Sequence, residues 1–234
     1  VKRYAERIFA FGDEMVEVVQ RGGAGGAETV YLGIGDAVPK LLASHILVRC
    51  WEEAPSLKIV VREGLPSELF PALAAHQLDI VIANEPAPPS LKAVLFSAKS
   101  GRYGVHFVAT GELKKAYNPK RGLSGFPVLL PTRESALRRE LDRWWAENGI
   151  VPDIRAEFDD TAAMCELASS GIGAAPVLEP VLDDVLKRYG LQKLPLKTGI
   201  QEELFVITAE RQFSQEGPRM IARIASSHRR ESAR

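Results

Sequence analysis

Three carboxylates and three hydroxyls stand at turns that close β-strand patterns in this sequence, so the chemistry on offer is oxygen chemistry. Asp36 follows an apolar run at 29–34, Ser67 ends the turn 64–67 after the run 57–63, and Thr132 and Ser135 follow 127–130. Asp159 and Asp160 follow the segment 154–158. Oxygen donors without thiolates or paired imidazoles suit a hard cation or an amine. Hydroxyls at helix N-termini suit a small carboxylate instead, but the three aspartates would repel one. A cation or amine ligand is therefore the sharper expectation. The plainer one is that Asp36, Ser67 and Asp160 cap helices, each contributing about 1 kcal/mol, which does not stop them lining a cleft. Arg133 reads either as an anion anchor or as a surface partner of Glu134 or Glu140. His45, His76 and His106 lack the spacing of metal ligands. No Ser-His-Asp set and no GxxxxGK loop emerges. Neither a catalytic residue nor a cofactor is expected.

These turns need strands and helices to hold them, and the hydrophobic periodicity supplies both. The strand at 29–34 runs into Gly35-Asp36 and out as a helix with Leu41, Leu42, Ile46 and Cys50 on its buried stripe, Asp36 as N-cap and Pro39 in the first turn. The unit repeats with a strand at 57–63, the turn Gly64-Leu65-Pro66-Ser67 and a helix through His76. LDIVIA at 78–83 is a continuous apolar run, as in a strand covered on both faces, and Asn84-Glu85-Pro86 ends it. An edge strand is expected at 91–96 and another strand at 104–110. A second set follows: a strand at 127–130, a helix at 136–148 stopped by Gly149, a strand at 154–158 and a helix at 162–169. Gly171 and Gly173 permit close backbone approach in a strand through Val177. Then come a helix at 182–189, strands at 191–196 and 203–208, and a terminal helix at 218–228. The class is α/β. In such sheets ligands bind outside the carboxyl ends of strands, which makes the turn at 35–38 the first candidate wall.

Before this unit, Tyr4, Ile8, Phe11, Met15 and Val18 alternate at spacings of four and three, a coiled-coil seam on a helix at 1–20. A run of glycines at 22–26 separates that helix from the rest, so its stripe is expected to bury against a second copy, as a homodimer, rather than back on its own globule. Thirty basic and thirty acidic residues cancel, which argues against direct phosphate gripping by this chain. Two distant cysteines, no run of about 18 apolar residues and no signal-peptide core favour a reduced, cytoplasmic protein without membrane contact.

The order of LGIGDAVPKLL, QLDIVIA, ELDRWWAENGIVP and SSGIGAAPV behind an amphipathic helix resembles the effector-binding portion of LysR-type transcriptional regulators. A narrower resemblance, on AAHQLDIVIANEP, YGVHFVAT, LLPTRESALRRELDRWW and AEFDDTAAM, is to members governing a sodium/proton antiporter. His76-Gln77 departs from the family, which usually has a glycine there. The resemblance implies a periplasmic-binding-protein-like (type 2) fold of two lobes, 28–107 with 204–228 and 108–203, joined by crossover strands at 104–110 and 203–208. It implies a winged helix-turn-helix ahead of residue 1 to contact DNA. It also implies an inter-lobe effector cleft, walled by Asp36, Ala37, Gly64, Pro66, Ser67, Asn84 and Glu85 on one side. Thr132, Arg133, Ser135, Phe158, Asp159 and Asp160 form the other wall. Asp36, Asp159 and Asp160 are the candidate cation donors, with sodium a candidate effector. The expected role is ligand-controlled transcription; the alternative is a transporter's solute-binding protein, with an enzyme on the same lobes a third, less supported reading.

Overall fold

Val30, Leu32 and Ile34 alternate with Tyr31 and Gly33 along β1 (Thr29–Gly35), and this parity decides which helix covers which face. The computed structural model describes residue 12 and residues 28–91, 94–209 and 215–227. The helix expected at 1–20, with Tyr4, Ile8, Phe11, Met15 and Val18, lies outside the described residues apart from Gly12. The glycine linker and His228 lie outside them as well.

On one face Val30, Leu32 and Ile34 meet Leu42, Ile46 and Cys50 of α1 (Lys40–Glu53), together with Ile221 and Ile224 of the last helix, Glu216–Ser227. On the other, Leu69, Phe70 and Leu73 of α2 (Pro66–Ala74) pack on Leu78, Val81 and Ile207. β1 lies parallel between β2 (Lys58–Gly64) and β3 (Ile80–Ala83). Beyond β3 the sheet continues with two antiparallel strands, β9 (Gln201–Thr208) and then β4 (Phe96–Ala109).

β4 is longer than its pattern suggests and passes from one sheet into the next. Its residues Phe96 to Gly104 pair β9, with a register shift between Lys99 and Gly101, while Val105 to Val108 pair β7 (Ala175–Leu178). The short β8 (Gln192–Lys193) adds to its far end. α3 (Gly111–Ala116), capped by Thr110 Oγ1 accepting from Leu113 N–H at 3.3 Å, leads on. β5 (Pro127–Pro131) and β6 (Asp153–Phe158) pair in parallel, and a bridge from Val128 to Ala174 ties them to β7. α4 (Ala136–Asn148), α5 (Thr161–Ser169) and α6 (Leu182–Tyr189) cover this second group, and the last helix is α7.

Some elements differ from the sequence reading. Of the edge strand expected at 91–96, Leu91 ends a 3-10 turn, Pro89–Leu91, and Phe96 is already the first residue of β4. The strand expected at 191–196 pairs over two residues. Asp36 is not an N-cap. α1 begins at Lys40 behind Pro39, and Asp36 lies in the preceding turn. Ser67 lies inside the first turn of α2, where Leu65 is the boundary residue and no side chain caps.

Candidate functional site

The carboxyl end of β1 opens into a tight turn fixed by its own backbone. Asp36 N–H donates to Gly64 O at 3.1 Å, and Val38 N–H to Gly35 O at 2.9 Å. The Asp36 carboxylate accepts from Ala37 N–H at 2.8 Å through Oδ1, and the residue lines a cavity. Pro66, Asn84 and Glu85, from the ends of β2 and β3, complete this wall.

The opposite wall comes from the ends of β5 and β6. Thr132 N–H donates to Phe158 O at 3.0 Å, which sets the two turns side by side, and Thr132 Oγ1 donates to Asp159 Oδ1 at 2.6 Å. Burial raises the pKa of Asp36, against the lowering effect of the Ala37 N–H, and the charges of Asp159 and Glu134 raise it further. The walls therefore carry mutually repelling acids.

Lys40 and Asp160 reach across between them. Lys40 Nζ lies 3.2 Å from Asp160 Oδ2 and 3.8 Å from Glu63 Oε2. Burial works against the charge on Asp160, yet the Ala162 N–H, at 2.7 Å, and Lys40 hold its carboxyl below the ordinary value. The hydrogen bond and charge of Asp160, with Glu63, raise Lys40. Asp160 is thus the N-cap of α5 and an ion-pair partner at once. A second cross-contact joins His45 Nε2 of α1 to Asp184 Oδ2 of α6 at 3.3 Å.

Between the walls lies a cavity of about 330 Å³. Its interior is apolar, formed by Phe158, Leu137, Met164, Val177, Val181 and Val185. One buried carboxyl faces it: Glu202 on β9, 8% exposed, accepting from Asn84 Nδ2 at 3.0 Å. Burial pushes Glu202 up to about 7, offset by the Asn84 bond. Cys165 also lines the cavity, and burial pushes both its thiol and that of Cys50 up to about 11, so neither is a thiolate at neutral pH.

Of the thirteen residues expected at the cleft, the structure brings together Asp36, Ala37, Pro66, Asn84, Glu85, Thr132, Ser135, Phe158 and Asp159. Gly64 lies behind the wall and holds Asp36 through its carbonyl. Ser67, Arg133 and Asp160 do not line the cavity. Arg133 is exposed, and Glu140 pairs with Arg143 at 3.0 Å. Sequence reasoning missed Lys40, Glu134, Tyr189 and Glu202. Only Glu202 left a signal, since it shares strand parity with the buried Leu204 and Val206. Among the described residues no group of three or more His, Cys, Asp or Glu could hold a metal ion.

Residues 23–222 match the LysR substrate binding domain. The chain belongs to that family. As a LysR-type effector-binding domain it is 29% identical over 213 residues to the transcriptional activator protein NhaR of Escherichia coli K12, covering 90% of this chain and 69% of that protein. The same figures hold for NhaR of Shigella flexneri. These are the likenesses that the motifs GIGDAVPK and AEFDDTAAM pointed to.

Solved structures share the two-lobe, periplasmic-binding-protein-like fold. The reduced regulatory domain of OxyR2 from Vibrio vulnificus superposes with a TM-score of 0.69 at 15% identity, covering 87% of this chain and 96% of that one. The effector-binding domain of QuiR in complex with shikimate gives 0.64 at 13%, covering 88% and 98%. Among the described residues no helix of this LysR-type domain is long and apolar enough to cross a membrane.

Proposed function

We propose that this domain senses a small positively charged ligand, sodium among the candidates, in the cleft between 28–107 with 204–228 and 108–203. Occupancy then controls DNA binding through the geometry of a homodimer or homotetramer. DNA is contacted by a winged helix-turn-helix outside this chain, in the cytoplasm, and no catalytic step is involved. The observation that carries the reading is the pair of facing walls: Asp36 from one side, Asp159 and Glu134 from the other, near enough to raise the Asp36 pKa. A cation between them relieves that repulsion, and an arrangement that brings the walls together holds it better than one that parts them, which is the differential affinity a switch requires. The similarity to a transcriptional activator favours a regulator over a transporter's binding protein.

Thermal unfolding in sodium, potassium and primary alkylammonium chlorides, at matched ionic strength and pH, tests the reading. A ligand at 100 times its dissociation constant adds about 2.7 kcal/mol, roughly 5 to 10 °C for a domain this size, while screening treats the salts alike. The expected result is a cation-specific rise that Asp36→Asn removes. Equal curves for every cation tested, with a rise on adding carboxylates, would contradict it.

A further inference from the structure

We propose that the cleft takes a primary organic ammonium ion with a short apolar chain, Glu202 serving as its counter-ion and the apolar interior enclosing the chain. The inference rests on the reading of the cleft as a cation-binding effector site and names the chemical class. Three features point that way together. The cavity, about 330 Å³, holds on the order of eleven waters at about 30 Å³ each, far more room than a bare metal ion fills. Leu137, Met164, Val177, Val181 and Val185 on its lining offer a metal ion nothing in place of its hydration shell, and among the described residues no group of three or more His, Cys, Asp or Glu could hold one. An alkyl chain instead gains from the same surface.

The third feature is Glu202 itself. It is more than nine-tenths buried, faces the cavity, and among the described residues has Asn84 as its hydrogen-bond partner and no cation paired with it. Tyr103 stands opposite it in register on β4, and Asp36 and Glu85 line the same cavity. Lys99 and Arg102 lie against Glu203, the next residue on β9, at 2.5 and 3.9 Å. An incoming ammonium supplies the positive charge that Glu202 lacks, and the acids at the mouth, Asp36, Asp159 and Glu134, draw that charge inward.

The test compares melting temperature in pentylammonium chloride, sodium pentanoate, pentanol and sodium chloride at equal ionic strength. Pentylammonium alone should raise it by several degrees, and Glu202→Gln should remove the rise. A second measurement uses the unaltered protein. Calorimetric titration with pentylammonium at pH 7, in buffers of different ionisation heat, should show net proton release as Glu202 ionises. An equal rise with pentanol or pentanoate, a rise retained by Glu202→Gln, or no proton release would overturn the proposal. A sodium-specific rise with pentylammonium inert would overturn it and leave the cation-sensing reading intact. No rise with either cation, accompanied by a pentanoate response, would sink both.

Discussion

Two buried charged side chains set the residue-scale energetics, in opposite ways. The folded-state pKa of Glu202, about 7, stands above its ordinary 4.5, so the folded protein binds more protons than the unfolded chain between those values. Stability from this group is present at low pH and falls as pH rises through that window, by an amount on the order of 3 kcal/mol. Glu202→Gln should therefore gain on the native protein as pH goes from 5 to 8 in urea unfolding without ligand. A gap that stays constant with pH would show that Glu202 does not carry the penalty. Arg138, 1% exposed, is the satisfied case. It donates to Asp142 at 2.9 Å, Glu157 at 2.7 Å and Pro131 O at 3.0 Å, tying α4 to both β5 and β6. Arg138→Ala removes three hydrogen bonds, two of them to part-exposed carboxylates, and should cost about 1.5–3 kcal/mol, measured as a lower urea midpoint. A loss below about 1 kcal/mol would mean that the network is dispensable.

At the scale of elements, what was legible in the sequence was what periodicity encodes. α4 lies where Leu137, Leu141 and Trp145 recur every four residues and Gly149, at φ 62°, ends it in a left-handed turn. The β-α repeat from 29 to 83 was legible for the same reason. Asp36 was misplaced because an acid before a helix reads as a cap, while the helix starts only at Lys40, behind Pro39, and leaves Asp36 to the turn. That displacement is what frees its carboxylate for the cleft mouth. The length of β4 was illegible because Gly101 and Gly104 break the alternation, although the strand continues through a register shift. Lys40 and Glu134 were missed since nothing local distinguishes a charge at a cleft from one on any solvated face. Close approach was legible at Gly173, where an added Cβ would stand 3.1 Å from the Pro127 carbonyl. Gly173→Ala must push β5 away from β7 and should cost roughly 1–3 kcal/mol. An unchanged urea midpoint for that variant would mean that the two strands have slack.

The whole molecule is two layered units joined through β4, which pairs β9 in one and β7 in the other, with a cavity lined from both. Among the described residues two ion pairs cross between the walls, above a core that is continuous beneath them. Lys40 with Asp160 and His45 with Asp184 are partly or fully exposed, and such pairs contribute less than about 1 kcal/mol each. The repulsion of Asp36 with Asp159 and Glu134 works against them. On the proposed reading, a positively charged ligand that relieves this repulsion shifts the relative placement of the walls, which is the property a sensor domain needs. The most direct measurement is amide hydrogen exchange of the turns 35–39, 131–136 and 158–162, in pentylammonium chloride, in sodium chloride and in potassium chloride at one ionic strength. Binding between the walls predicts slower exchange at turns on both sides, together, in one cation and not in the others. Exchange at those turns that is the same in all three salts would contradict a cation-sensing cleft.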